Sequence, residues 1–270
     1  FRGTLFEEAY AQFPSTLVSH MSMFTGLAPR DHGATWAAFS EPESTPLPDL
    51  VARSFTPREP GRMLAARLRA AGYRTYGFSP NPWISRNKGF AEGFDAFFEL
   101  WRMEEQAAAL GQPPAGDVPR TTSEVAVSAV KRVLAERPSG APFFLFVNFL
   151  DPHFPYEPNE PFLQRFGGQA ETVQALRHRG TKNELGMISG ASPFTPEELV
   201  PLYDAGLANA DAAVGELLGW LESAGLFDDT LVVLTSDHGE LLGERGRFSH
   251  QLYVDEPLMH VPLIVKLPGG

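Results

Sequence analysis

Residues 143–153 read FFLFVNFLDPH, and this run decides the fold class. Positions 143–150 are apolar apart from Asn148, with Pro142 before them and Asp151 after. No polar residue alternates with the apolar ones, so neither face is reserved for water. Such a strand belongs to a parallel sheet covered on both sides. Working outward, residues 63–71 carry Leu64 and Leu68 on one helical face, stop at Gly72 and lead into a strand at 73–78. A helix at 123–136, closed by Pro138 and Gly140, precedes the quoted strand. A third helix starts at Thr195-Pro196-Glu197-Glu198, where a cap is followed by proline at the first position and acids in the first turn. It runs to about Ala224, stops at Gly225 and leads into strands at 230–235 and 261–266. Repeated helix–strand order predicts an α/β fold with a mainly parallel sheet and helices on both faces. Its core should contain Phe144, Phe146, Asn148, Val232 and Leu234.

The remaining segments read as connections. Residues 40–61 and 103–122 are rich in proline, glycine and polar side chains. Residues 166–192 show little apolar periodicity and read as a mobile surface excursion. Residues 4–10 read as a short strand or a turn, and 15–26 as a loop entering a helix. No internal repeat is visible. The 270 residues are 43% hydrophobic and 20% charged, enough for one large α/β domain or two small ones. The net charge of −11 argues against nucleic acid, because phosphate-backbone binding needs clustered Lys and Arg. It leaves room for a small anionic ester held by local groups. Cysteine is absent, which removes disulfides and thiol chemistry. No apolar run is long enough to span a bilayer.

In open α/β sheets, ligands bind outside the carboxyl ends of the strands. That rule selects Asn81, the turn Asp151-Pro152-His153, and Ser236-Asp237-His238-Gly239. A carboxylate beside an imidazole at a strand end suits a divalent metal. The plainer reading of each pair is a capped turn with a neighbouring surface histidine. His250 follows a Gly-rich loop. Like His20, His32 and His260, it is by itself more consistent with surface than with function, and His178 among arginines reads as solvated surface. Ser15, Thr16, Ser19, Ser22 and Thr25 place hydroxyls before Gly26. A helix starting near Thr16 would present backbone N–H groups to an anion, and a hydroxyl there could serve as a metal-activated nucleophile.

Together and in this order, these segments resemble the sulfatases and their relatives in the alkaline phosphatase superfamily. The run Thr25-Gly26-Leu27-Ala28-Pro29-Arg30-Asp31-His32-Gly33 is similar to the end of the family's nucleophile signature, and counting back from Gly26 puts the nucleophile at Thr16. AGYRTYGFSPNPWISRNKGFAEGFDAFFE, FLFVNFLDPHFPYEP, TLVVLTSDHGELLGERGRFSH and LYVDEPLMHVPLIVKLPGG resemble further family blocks. The resemblance implies an alkaline-phosphatase-like fold. It implies a divalent metal (Zn, Mn, Mg or Ca) held by Asp237, His238 and Thr16, with an acid from a strand upstream of Phe1. His153 and His250 are then candidates for leaving-group protonation or substrate contact, and Asn81, His20 and Asp151 for substrate binding. Asp151 could instead orient His153 or bind a second metal.

Two departures from the family pattern shape the expectation. Thr16 stands where sulfatases carry a Cys or Ser that becomes formylglycine, and His20 stands where they carry an arginine. The resemblance therefore implies phosphate or phosphonate ester cleavage through a covalent threonine intermediate ahead of sulfate ester cleavage. The alternatives are a phosphoethanolamine- or phosphoglycerol-type transferase and a degenerate binding domain. Residues 1–270 are expected to be one catalytic domain short at both ends. The family pattern favours a periplasmic or extracytoplasmic setting.

Overall fold

The computed structural model describes residues 3–34, 60–102, 122–138, 140–179, 194–250 and 253–269. The expected connections at 40–61 and 103–122 lie almost wholly outside these residues, as does the part of 166–192 beyond 179. In chain order the elements are β1 (Thr4–Phe6), α1 (Thr16–Thr25), the one-turn α2 (Pro29–His32), α3 (Leu64–Ala70), β2 (Arg74–Ser79), β3 (Ala96–Glu99), α4 (Thr122–Ala135) and β4 (Phe143–Val147). They continue with α5 (Glu160–Arg165), α6 (Ala170–Arg179), α7 (Pro196–Ser223), β5 (Val232–Thr235), β6 (Leu241–Leu242), β7 (Phe248–Ser249), the one-turn α8 (Glu256–Met259) and β8 (Leu263–Lys266).

A parallel sheet in the order β3-β2-β4 forms the centre. Strand side chains alternate between faces, and the quoted run shows what that does to an all-apolar strand. Phe144 and Phe146 pack on the layer of Leu17, Met21 and Phe24 from α1 with Met63, Phe90 and Phe94. Phe143, Leu145 and Val147 turn the other way, against Val127, Val130 and Leu134 of α4 and Leu217 and Leu221 of α7. Each fully buried side chain of this size contributes about 1.5–3 kcal/mol. Helices therefore cover both faces, and the α/β class stands. The strand β3 was not anticipated. It is admitted beside β2 because Gly77 leaves room for Phe97, whose ring would lie 2.5 Å from a Cβ there.

The helix α7 has the ends its sequence predicts. Thr195 and Glu198 form a reciprocal capping box, with the Thr195 N–H donating to Glu198 Oε2 at 2.8 Å. Beyond its last turn Gly225 adopts φ +66, and Leu226 N–H returns to Leu221 O at 2.8 Å.

Three expectations are corrected. The strands at the C-terminal end do not extend the parallel sheet: β8 pairs antiparallel with both β5 and β1, giving a second sheet β1-β8-β5. The segment between β5 and β8 forms the hairpin β6–β7 and the single turn α8 instead of a crossover helix, and without a crossover a parallel return is not available. The strand β4 and the expected core positions Asn148, Val232 and Leu234 are half-buried, not sealed. Among the described residues β4 pairs only with β2, and β5 only with β8, so each keeps one unpaired edge. Finally, residues 166–179 are not an excursion. Leu176 of α6 is fully buried in a cluster with Leu163, Tyr156, Leu199 and Leu202, so one well-placed leucine anchors a helix whose other faces are polar.

Candidate active site

The helix α1 begins at Thr16, behind Ser15 in extended conformation (φ −155), and its first turn is buried. The chain leaving β5 passes this helix end. Ser19 Oγ donates to Asp237 O at 2.6 Å, which ties helix and loop together. Gly239 is required here by close approach: a Cβ would sit 1.9 Å from Pro257 O, and the Gly239 N–H donates to Leu258 O at 2.8 Å. The loop after β5 is thus clamped between α1 and α8.

This clamp brings Thr16, Asp237 and His238 to one point. Thr16 Oγ1 lies 3.3 Å from His238 Nε2, and Asp237 Oδ2 lies 3.4 Å from the same nitrogen. His238 Nδ1 donates to Gly239 O at 2.8 Å. That bond fixes the tautomer, leaving the Nε2 lone pair facing Thr16 and Asp237. His20, one turn into α1, sets Nδ1 against Thr16 O at 2.9 Å and Asp237 Oδ2 at 3.3 Å. Its ring meets Phe146 edge-on at 6.0 Å, so the second residue of the departure from the family pattern is buried beside the first.

Charge follows from this packing. Burial works against an ionised Asp237, but His238 and His20 outweigh it and hold the carboxyl well below the usual carboxylate range. Burial pushes the His238 pKa down despite Asp237. An imidazole beside a carboxylate and a hydroxyl is a donor set suited to a divalent cation. Ligands about 2.0–2.2 Å from one ion sit about 3.3 Å apart at tetrahedral angles, which matches the two separations found. Among the described residues no group of three or more His, Asp or Glu side chains stands ready to hold a metal, so the set depends on the Thr16 hydroxyl.

Two further imidazoles stand beside His238. The His250 ring is 4.2 Å from the His238 ring and 5.6 Å from that of His153. His153 donates through Nδ1 to Phe154 O. The structure thus brings Thr16, His20, His153, Asp237, His238 and His250 into one connected group of contacts.

The other candidates are engaged elsewhere. Asn81 Oδ1 accepts from Trp83 N–H at 2.9 Å, the bond of an Asx turn, so its carbonyl shapes the loop after β2. Asp151 accepts from Ser123 Oγ at the start of α4 and acts as a cap from outside that helix. His32 is structural: its Nδ1 accepts from Ala34 N–H, so its Nε2–H donates to Ser22 Oγ at 3.0 Å. His260 is exposed and donates to Glu7 O at 2.7 Å. The side chain of His178 lies outside the described residues.

One residue of the site was missed by the sequence reading. Glu240 is buried with its carboxylate 3.1 Å from His250 Nδ1. The available signal was its place two residues after His238 in the run Asp237-His238-Gly239-Glu240.

Comparison with known proteins gives the following. The family model described as Sulfatase matches residues 1–270. Human iduronate 2-sulfatase is 26% identical over 178 residues, covering 58% of this chain and 32% of that protein. The multifunctional alkaline phosphatase superfamily protein PehA of Trinickia caryophylli is 27% identical over 231 residues, covering 73% of this chain and 44% of that protein. Among solved structures, the phosphonate monoester hydrolase of Agrobacterium radiobacter superposes with a TM-score of 0.61 at 21% identity, covering 99% of this chain and 61% of that one. The chain therefore spans less than half the length of these two curated relatives and about three fifths of that solved structure.

Proposed function

Because the chain belongs to the sulfatase family, we propose that it is the catalytic part of a metal-dependent hydrolase that cleaves phosphate or phosphonate esters, with Thr16 as the nucleophile. The observation that carries this is the Thr16 hydroxyl at the buried start of α1, 3.3 Å from His238 Nε2. Threonine cannot supply the formylglycine on which family members with cysteine or serine at this position rely, so sulfate ester cleavage by that route ranks second.

Thr16, Asp237 and His238 would hold the divalent metal, which supplies Lewis acidity and a lowered hydroxyl pKa. Among the described residues β4 and β5 each keep one unpaired edge, which leaves room beside the site for a further strand and for the additional acid such an ion favours. Thr16 is presented by the first turn of α1, whose free backbone N–H groups favour an anionic ester. His20 holds Asp237 in place and keeps it ionised.

In the first half-reaction the Thr16 oxygen attacks phosphorus in line with the leaving alcohol. The bond from phosphorus to that alcohol breaks, and the alcohol takes a proton from His153 or His250, while the Thr16 proton passes to solvent. In the second half, water attacks the threonyl ester and gives a proton to the same imidazole. Thr16 leaves, recovers a proton and is regenerated. A transferase would share this site and differ only in admitting an acceptor alcohol in place of water.

The test is turnover by a full-length form of the protein loaded with Zn or Mn, given 4-nitrophenyl phosphate diesters, phosphonate monoesters and 4-nitrophenyl sulfate. Faster cleavage of the phosphorus esters is expected. Cleavage of the sulfate alone would overturn the assignment.

A further inference from the structure

We propose that Glu240 is a positioning residue: it holds the His250 ring so that Nε2, not Nδ1, is presented to the substrate of the hydrolysis proposed above, on which this assignment rests. The β6–β7 hairpin brings the two residues together. Its strands pair Leu242 with Phe248 and Leu241 with Ser249. One more step in the same register sets Glu240 opposite His250, the pair that leaves the hairpin toward His238. The turn at the other end is made possible by Gly243 at φ +123. A run that looks in sequence like a mere Gly-rich loop is therefore a device that brings an acid and an imidazole face to face.

The contact is that of a built pair. Glu240 Oε2 and Oε1 lie 3.1 and 3.3 Å from His250 Nδ1, and the two side chains are only 6% and 5% exposed. A buried carboxylate without a partner is costly, so the pair is mutually required. The backbone just before the histidine is also unusual. Ser249 adopts φ +70, a left-handed conformation that side-chain-bearing residues rarely take. Such positions persist where the surrounding structure over-determines them, and they gather at functional sites.

The imidazoles of His153, His238 and His250 share one arrangement. Each turns Nδ1 to an oxygen: His153 to Phe154 O, His238 to Gly239 O, and His250 to Glu240. Two of these oxygens are backbone carbonyls of the following residue, so those rings are fixed by their own turns. For His250 the oxygen comes from a carboxylate side chain across the hairpin. An acceptor at Nδ1 fixes the tautomer and the ring plane together. Glu240 thus does for His250 what local backbone does for the other two, and it can be removed by a single substitution.

Two readouts test this in the full-length, metal-loaded protein. The first is the ring-nitrogen NMR spectrum of His250, assigned by its loss in His250→Ala. Wild type should show a proton on Nδ1, with or without a second one on Nε2, Glu240→Gln should keep it there through the amide oxygen, and Glu240→Leu should release the ring to the Nε2–H form. A wild-type ring carrying its proton on Nε2 alone overturns the proposal without any variant, so a Glu240→Leu chain that fails to fold does not protect it. The second readout is a double-mutant cycle on a 4-nitrophenyl phosphate diester. Glu240→Leu should lower kcat by about 10- to 100-fold with KM little changed, Glu240→Gln should restore part of it, and Glu240→Leu should cost nothing further in the His250→Ala background. Equal losses in both backgrounds would mean that Glu240 acts independently of His250, and the assignment falls. Should no ester be turned over by any form, the hydrolase reading fails by itself, while the ring spectrum still decides whether Glu240 sets His250.

Discussion

Thr16 is the residue on which the chemical reading turns, and Ala keeps its place at the start of α1 while losing only the hydroxyl that meets His238 and a methyl group. Thr16→Ala should lower turnover of phosphate diesters by about a thousand-fold or more with unchanged thermal stability, whereas Thr16→Ser should keep a measurable fraction because the hydroxyl survives. Equal rates for wild type and Thr16→Ala would remove it as nucleophile. Asp151 behaves differently. Burial raises its pKa, opposed by the Ser123 hydrogen bonds. A carboxyl with a folded-state pKa above its unfolded value favours folding below the unfolded value and loses that contribution as pH rises through the folded one. At pH 7 its charge is therefore a cost, and Asp151→Asn, which can still accept from Ser123, should raise Tm by about 2 °C. That gain should shrink as pH falls through the carboxylate range. Melting curves at neutral and acidic pH check the sign, and a lower Tm for Asp151→Asn at pH 7 would contradict it. The two aspartates that looked alike in sequence, each near a histidine at a strand end, thus differ: one is kept ionised by imidazoles, the other caps a helix.

At the scale of elements, the site depends on how closely the loop after β5 approaches α8. Gly239 makes that approach possible, since a Cβ would lie 1.9 Å from Pro257 O, a backbone atom that cannot swing aside. Gly239→Ala should cost about 1–3 kcal/mol and shift Asp237 and His238 relative to Thr16, so metal affinity should fall along with Tm. Retention of both in calorimetry would show that the clamp is looser than the contact implies. The elements were unequally legible. Helix α7 could be read from Thr195-Pro196-Glu197-Glu198 and Gly225 because caps and stops are local chemistry. Strand β3 escaped, because its four residues, AFFE, carry no pattern distinguishing them from a loop. Helix α6 escaped because its stability comes from Leu176 entering a distant cluster and not from its own periodicity.

At the scale of the whole molecule, the edges of β4 and β5 that stay unpaired among the described residues lie on the two strands whose following turns carry His153 and Asp237. An exposed strand edge invites association with another chain, and three ligands including one hydroxyl are a poor cage for Mg or Mn. Residues 1–270 alone should therefore bind Zn or Mn weakly and self-associate, whereas a longer form that pairs these edges should bind tightly as a monomer. Calorimetry with sedimentation on both forms measures this, and tight stoichiometric binding by residues 1–270 alone would show that the named ligands suffice. By itself the sequence determined the α/β class, the ends of its three main helices and the strand ends from which His153, Asp237 and His238 follow, because periodicity, capping and strand-end turns are written within a few consecutive residues. The tertiary structure decided the rest: that β8 runs antiparallel, that Asn81 and Asp151 are spent on local structure, that His32 is a strut, and that Glu240 faces His250 across a hairpin. Those outcomes depend on which distant atoms come within hydrogen-bond reach, and only the packing of Thr16, Asp237, His238 and His250 from separate segments against one another fixes that.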